Sequence, residues 1–468
     1  VKNLNIGSVR VEDDFARNYS GNGIFSHILG YTGPATDKDV KADPSLSYND
    51  IVGKSGLESY YDKELRGEDG KVINYRNAKG ETINDKLLAD ASNGYQIHST
   101  IDSELQSYFS KSLKNAINRL GSQAAVGIAV NPQNGEVLSL ISLPTFDNNR
   151  IKSEDLINSA KPFFNRVVSG EYAPGSTIKP LVAFAALKEK IISPEHEIFS
   201  AGYIDIPNPY DPEHPSRFLD WKPNGWVNLF SALARSSNIY FYAVGGGLND
   251  VKGLGIDKLG EYWKKFGLGE KTGIDLPGEK SGFLPNPETK EKSGGDIWRI
   301  GDTYNVSIGQ GDLLMTPIQL VDYTAAIANG GKFYRPFLVN EITDNEGKII
   351  KKFSPEIIDD YSNDASEMKL VQEGMNDAVG KSYGTANLLS DLPFSVAAKT
   401  GTAQIEGNTK INAFFVGYLP AEALAEAGAP LDKQIAILVL IENAREGSLN
   451  AVPVAKDVLN WYYENRVI

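Results

Sequence analysis

The sequence predicts an α+β fold, with an antiparallel sheet of about five strands carrying helices on its faces. Three observations predict it. Residues 124–144, "AAVGIAVNPQNGEVLSLISLP", are two apolar runs around a Pro/Asn/Gly turn, the signature of a hairpin. "SVAAKTGTAQI", "INAFFVGYLP" and "QIAILVLIEN" supply three more strands near the other end, with a helix near 450–463 behind them. The segments between these two sets have helical patterns, so distant parts of the chain must meet in one sheet.

Each element has a local reason. Residues 1–95 are polar and rich in Gly, Asp and Asn, and read as short strands and turns around a small core. The pattern changes at "GYQIHSTIDSELQSYFSKSLKNAINRL", where Thr100 is the expected N-cap and Asp102 and Glu104 suit the first turn of a helix. Leu105, Phe109, Leu113 and Ile117 then repeat every fourth residue and form one apolar face. In "EYAPGSTIKPLVAFAALKEKII", Pro174-Gly175 makes a turn and Leu181 to Leu187 is apolar on every side, as in a helix enclosed by a core. "TPIQLVDYTAAIANGG" has Thr316 as cap, Pro317 in the first turn and Gly330 as stop.

Composition narrows the function. At 468 residues the chain exceeds one core, and the usual ~100–200 residues per domain suggest two or three; the change of pattern near residue 95 separates an N-terminal unit, 1–95, from a main unit, 96–468. Acidic residues outnumber basic ones, 60 to 47, which argues against a nucleic-acid partner. There is no cysteine, so disulfides, thiolate metal sites and cysteine nucleophiles are excluded. The longest apolar run, "IAILVLI", has the length of a strand rather than a membrane span. Val1 follows no starting Met or signal-like segment, and the expectation is an ectodomain whose leader or anchor lies outside this sequence.

The four histidines, His27, His98, His196 and His214, flank no serine nucleophile motif. A serine can instead be activated by a neutral lysine at i+3 on the same helix face. Two Ser-x-x-Lys matches exist, Ser176-Thr-Ile-Lys179 and Ser366-Glu-Met-Lys369. The first enters the apolar helix, where burial lowers a lysine pKa toward that of a general base. The second lies in a polar approach, "DDYSNDASEMKL", where Ser366 reads as an N-cap and Lys369 as a solvated residue. Downstream of Ser176 stand Ser236-Ser237-Asn238 at a helix edge and Lys399-Thr400-Gly401 in a strand. Tyr361-Ser362-Asn363 and Lys271-Thr272-Gly273 repeat the letters, but they read as a turn before a helix and as a Gly/Pro loop.

The order Ser-x-x-Lys, Ser-x-Asn, Lys-Thr-Gly resembles that of penicillin-binding proteins and serine β-lactamases. "GEYAPGSTIKP", "SIGQGDLLMTPIQL" and "AAKTGTAQ" are similar to the class B transpeptidases. "HILGYTG", "GKSGLESYYDKELRGEDG" and "LISLPTFDNN" resemble the elongation-type subgroup, penicillin-binding protein 2. The resemblance covers nearly the whole chain. It implies the penicillin-binding, serine β-lactamase-like fold with a helical subdomain, and makes 1–95 part of a non-catalytic pedestal of the dimerisation type. It implies a D,D-transpeptidase that cross-links peptidoglycan stem peptides during elongation, outside the cell membrane, and is acylated by β-lactams.

The roles implied are these. Ser176 is the nucleophile, Lys179 its base, Ser236 a proton relay, and Asn238 a holder of Lys179 and of a substrate amide. Lys399 contributes positive charge near Ser236, and the hydroxyls of Thr400 and Thr402 bind the substrate carboxylate. Gly401 lets an extended peptide approach the strand, and the N–H groups of Ser176 and Thr402 form the oxyanion hole. A SEDS-type membrane glycosyltransferase and elongation-complex scaffold proteins are the implied partners, with no cofactor. Some relatives hold zinc through a cysteine near the segment that here contains Asp205, Asp211, Glu213, His214 and Asp220; without that cysteine the segment reads as a Pro-rich loop, with no metal. The rival readings are a β-lactamase or D,D-carboxypeptidase of the same fold, and a non-catalytic β-lactam sensor or scaffold. The glutamate that a class A lactamase needs has only Glu341-x-x-x-Asn345 as a match, in what reads as a hairpin.

Overall fold

The computed structural model describes residues 16–80, 82–207, 213–405, 410–444 and 447–468. Its main sheet has five antiparallel strands: β1 (Ala125–Val130), β2 (Val137–Leu143), β3 (Ala397–Ile405), β4 (Lys410–Tyr418) and β5 (Ala436–Ile441). The spatial order is β3-β4-β5-β1-β2, so the late strands meet the early hairpin through the β5–β1 pairing, with Leu438 opposite Ile128. One edge is β3, whose second side is open to whatever packs or binds there.

Both faces of this sheet are buried, which is why its strands read as continuous apolar runs rather than alternating ones. Helix α1 (Ser103–Leu120) covers one face together with the C-terminal helix, Gly447–Tyr462. Leu105, Phe109 and Leu113 meet Ala125, Ala129, Ile437 and Val439 there. Gly127 makes that approach feasible, since an added Cβ would lie 2.7 Å from Leu113 and Phe109 atoms. The opposite face carries Val126, Ile128, Leu438 and Val416 against the helical subdomain. Its central members are α2 (Lys179–Lys188), α3 (Leu229–Arg235), α4 (Asn238–Gly246), α5 (Pro317–Ala328) and α6 (Ala365–Gly380). Every residue of α5 is buried, and its start has the expected Thr316 cap and Pro317 in the first turn, with Gln319 completing a capping box.

Two expected caps are corrected. The N-cap of α1 is Asp102, whose carboxylate accepts from the N–H groups of Glu104 and Leu105; Thr100 is used by the strands instead, its hydroxyl donating to the Val137 carbonyl at 2.7 Å. Helix α6 starts at Ala365, so Ser366 lies inside its first turn and donates to Glu367 rather than capping.

Residues 16–95 form short helices and small two-stranded sheets. Ile28, Leu57 and Tyr61 join the main core, and the Tyr61 hydroxyl donates to the buried carboxylate of Asp275 at 2.9 Å. The hairpin Lys71–Arg76/Thr82–Ala89 differs, because the residues of its two strands are all exposed. The strand that follows, Gln96–Ser99, pairs with Val339–Thr343.

Candidate active site

Ser176 is half-buried in the single turn Gly175–Ile178, which runs directly into α2. That turn is held from two sides. Gly175 has φ +55, and an added Cβ would lie 2.7 Å from the Thr402 carbonyl oxygen, so only glycine lets the turn press against β3. From the other side Gly309 accepts the Gly175 N–H at 2.9 Å, and its own added Cβ would strike the Gly175 carbonyl at 2.1 Å. Thr177 is fixed by a 2.7 Å bond to the Pro174 carbonyl and by the Tyr323 hydroxyl, which donates to its carbonyl.

Lys179 is the first residue of α2 and has no exposed surface. Its Nζ donates to the Ser236 carbonyl at 2.8 Å and to Asn238 Oδ1 at 2.7 Å, and lies 3.4 Å from Ser236 Oγ. The Phe241 ring stands 5.3 Å below it. Burial pushes this amine down to about 7, against an opposing pull from the Asp220 carboxylate.

Ser236 ends α3 in the left-handed region, φ 57, which a non-glycine residue adopts only when its surroundings over-determine it. Its Oγ accepts from Lys399 Nζ at 2.8 Å, and Lys399 also donates to the Thr400 carbonyl at 2.9 Å. The structure thus brings Lys179, Ser236, Asn238 and Lys399 into one buried network beside the Ser176 turn. Asn238 is oriented from both ends, since its Nδ2 donates to the Leu219 carbonyl at 3.1 Å while Oδ1 faces Lys179.

The surroundings of Lys399 oppose the positive charge expected there. Lys399 is fully buried among the neutral acceptors just named, and burial first, then the neighbouring Lys179, push its amine well below the usual lysine range. Gly401 also has a packing reason within the fold. An added Cβ would lie 2.7 Å from the Thr177 methyl and 3.1 Å from Phe414 Cβ, so the missing side chain admits the Ser176 turn.

Thr400 is buried and donates to Thr385 Oγ1 at 2.8 Å. Thr402 is half-buried; its carbonyl accepts from Gln310 Nε2 at 3.3 Å and its Oγ1 from the Gly447 N–H at 3.3 Å. A strand residue points its N–H and C=O to the same side, so the Thr402 N–H also lies on the open edge of β3, beside Gly175.

Sequence reasoning missed several residues of this site. Gln310 and Gly309 were visible only as part of "SIGQGD", and Thr385 carried no signal. Glu442 accepts from Tyr172 OH at 2.7 Å and from Arg166 Nε at 2.9 Å, tying β5 to the chain leading into Ser176.

The look-alike motifs lie elsewhere. Thr272 and Gly273 wrap the Glu279 carboxylate in a loop, with Thr272 N and Oγ1 each 2.6 Å from Oε1. Lys369 is exposed on α6. Glu341 stands on Val339–Thr343 opposite His98, in a different sheet from Lys399. Of the acidic segment, Asp205 pairs with Arg217 at 2.7 Å, Asp220 is enclosed by hydrogen-bond donors, and Asp211 lies outside the described residues.

Residues 125–460 match the family model described as the penicillin binding protein transpeptidase domain, and residues 2–99 match the penicillin-binding protein dimerisation domain. The chain is 35% identical to the peptidoglycan D,D-transpeptidase MrdA of Haemophilus influenzae, over 98% of this chain and 71% of that protein. It is 32% identical to its Escherichia coli K12 namesake, over 94% of this chain and 70% of the other. Among solved structures, it resembles Pseudomonas aeruginosa PBP2 in complex with WCK 5153, with TM-score 0.78, 32% identity, 97% of this chain and 91% of that one covered. It also resembles PBP2 of Helicobacter pylori in a complex with MreC, with TM-score 0.80, 29% identity and coverage of 96% and 79%. A further likeness, at TM-score 0.78 and 28% identity, is to a chain of a peptidoglycan synthase complex that coordinates polymerization and crosslinking, with 96% of this chain and 76% of that one covered.

Proposed function

The chain belongs to the penicillin-binding protein transpeptidases, and on that premise we propose that it cross-links peptidoglycan stem peptides during elongation through an acyl-enzyme on Ser176. The observation that carries the assignment is the buried Lys179 amine. It is brought to about 7 by desolvation, held by Asn238 and Ser236, and set one helical turn from the Ser176 backbone.

The chemistry follows from those positions. Ser176 Oγ attacks the carbonyl carbon of the penultimate D-Ala while its proton passes to the free amine of Lys179. The negative charge that develops on the carbonyl oxygen is met by the N–H groups of Ser176 and Thr402; loss of one such donor typically costs ~10²–10³ in rate. Ser236 Oγ, which lies between Lys179 and Lys399, hands a proton to the departing amine as the C–N bond breaks and the terminal D-Ala leaves. An amine from a neighbouring stem then attacks the acyl carbon, Ser176 Oγ departs with a proton, and the cross-link is complete.

The substrate's terminal carboxylate is taken by the hydroxyls of Thr400 and Thr402. Its negative charge favours the protonated form of Lys399. Asn238 keeps one Nδ2 hydrogen for a substrate amide. A β-lactam enters by the same path and acylates the same serine.

The site of action is extracytoplasmic, where peptidoglycan is. A SEDS-type membrane glycosyltransferase and elongation scaffolds are the proposed partners, by analogy with the two assemblies above. The Lys71–Arg76/Thr82–Ala89 hairpin supports a protein partner, because its strands are exposed among the described residues and a two-stranded hairpin is marginal by itself.

Labelled penicillin tests the site. Wild type is expected to take up one label that persists for many minutes, and Ser176→Ala none. Label that is lost within seconds makes the chain a lactamase, and labelling that survives Ser176→Ala removes Ser176 from the mechanism.

A further inference from the structure

Asp220 belongs to none of the three motifs, yet the structure builds the second motif around it. The residue is 7% exposed. Three donors reach its carboxylate from the surrounding hairpins: Ser200 Oγ at 2.8 Å, Asn224 Nδ2 at 3.1 Å and the Trp221 N–H at 2.9 Å. Three more come from the start of α4: Ser237 Oγ at 2.7 Å, the Asn238 N–H at 2.9 Å and the Ile239 N–H at 3.5 Å. Among the described residues it has no lysine or arginine ion-pair partner, so its charge is stabilised by hydrogen bonds and by the positive end of α4.

The neighbouring residue completes the arrangement. The Leu219 carbonyl accepts both from Asn238 Nδ2 and from the Tyr242 hydroxyl, each at 3.1 Å. Leu219-Asp220 therefore grips Asn238 by its backbone and by its side chain, leaving Oδ1 one direction to face, toward Lys179. The preceding Ser236 is thereby kept in its left-handed conformation, with carbonyl and Oγ both turned toward the lysines.

The geometry points to Asp220 as a positioning residue for acyl transfer, whose carboxylate fixes the Ser236–Asn238 turn and supplies a buried negative charge on the far side of that turn from Lys179. The inference rests on the assignment of Lys179 as the base of Ser176. Lys179 is faced by Lys399 from β3, by Ser236, Asn238 and Phe241 from α3 and α4, and by the field of Asp220 from the hairpin side. Burial favours the free amine of Lys179, and Asp220 opposes it. Without its charge, Lys179 loses its proton at lower pH.

The test is the pH dependence of Ser176 acylation by a fluorescent penicillin in wild type, Asp220→Asn and, as control, Asp205→Asn, which removes only a surface pair with Arg217. In Asp220→Asn the amide presents hydrogens to a ring of donors, and acylation at pH 8 is expected to fall roughly tenfold or more. Its acid limb should move about half a unit to one unit toward acid, while Asp205→Asn matches wild type in both. A folded Asp220→Asn with wild-type rate and an unmoved limb overturns the inference. If that variant does not fold, Ser237→Ala decides, since it removes one tether and leaves the charge: several-fold slower acylation with an unmoved limb supports the role, and an unchanged rate overturns it. Wild-type labelling that persists in Ser176→Ala marks a failure of the underlying assignment instead.

Discussion

Lys179 enters α2 fully buried, and its amine is brought down to about 7, whereas in the unfolded chain it keeps its ordinary value near 10.5. Between those two values the unfolded state binds the extra proton, so stability rises as pH increases from about 7 toward 10. Below about 7 the buried amine is charged at full desolvation cost. Catalysis needs the free amine, so acylation should climb through pH 7 and level off above it. Lys179→Met should then abolish penicillin labelling while raising Tm by roughly a few degrees at pH 7, which a thermal melt reads directly. A Tm that drops would show that the hydrogen bonds to Ser236 and Asn238 outweigh the desolvation. The letters of the sequence made Ser176, Lys179, Ser236, Asn238 and Lys399 legible, because each carries chemistry in a spaced motif. Asp220, Thr385 and Gln310 were not, because their roles come from contacts made across the fold.

Among the elements, glycines separate packing from catalysis. Gly127 in β1 and Gly401 in β3 both lack a Cβ where a neighbour lies within 2.7 Å, but the neighbours differ. At Gly127 they are Phe109 and Leu113 of α1, on the side of the sheet away from the lysines. At Gly401 the neighbour is Thr177, next to Ser176. Overpacking at either position should cost about 1–3 kcal/mol of stability. Acylation of the folded protein should stay within about twofold for Gly127→Ala and drop by at least about tenfold for Gly401→Ala, because the β3 edge moves off the Ser176 turn. Equal losses in the two variants would mean that the strand's distance from the turn is immaterial. The strands themselves were legible, since burial on both faces writes an unbroken apolar run. The helix caps were less so: Thr100, Asp102 and Ser366 are all acceptable cap types, and Thr100 was drawn into the strand contacts at Val137.

For the molecule as a whole, the polar character of residues 1–95 set them apart in the sequence but did not show how they are used. Part of it is fused to the main core through Ile28, Leu57 and the Tyr61–Asp275 bond. The hairpin Lys71–Arg76/Thr82–Ala89 shares none of that packing and exposes Val72, Ile73, Tyr75, Ile83, Leu87 and Leu88, each at least 40% accessible. Apolar side chains clustered on an unsupported hairpin mark a contact surface rather than a core. Since Ser176 and the lysines lie in the main unit, charge placed on the hairpin should separate assembly from chemistry. Ile83→Glu with Leu87→Glu is expected to weaken binding to a purified MreC-type scaffold at least tenfold in a pull-down or calorimetric titration. Penicillin labelling of the same variant should proceed at the wild-type rate. Undiminished scaffold binding would place that partner on another surface, and a loss of labelling would mean that the hairpin supports the fold of the catalytic unit after all.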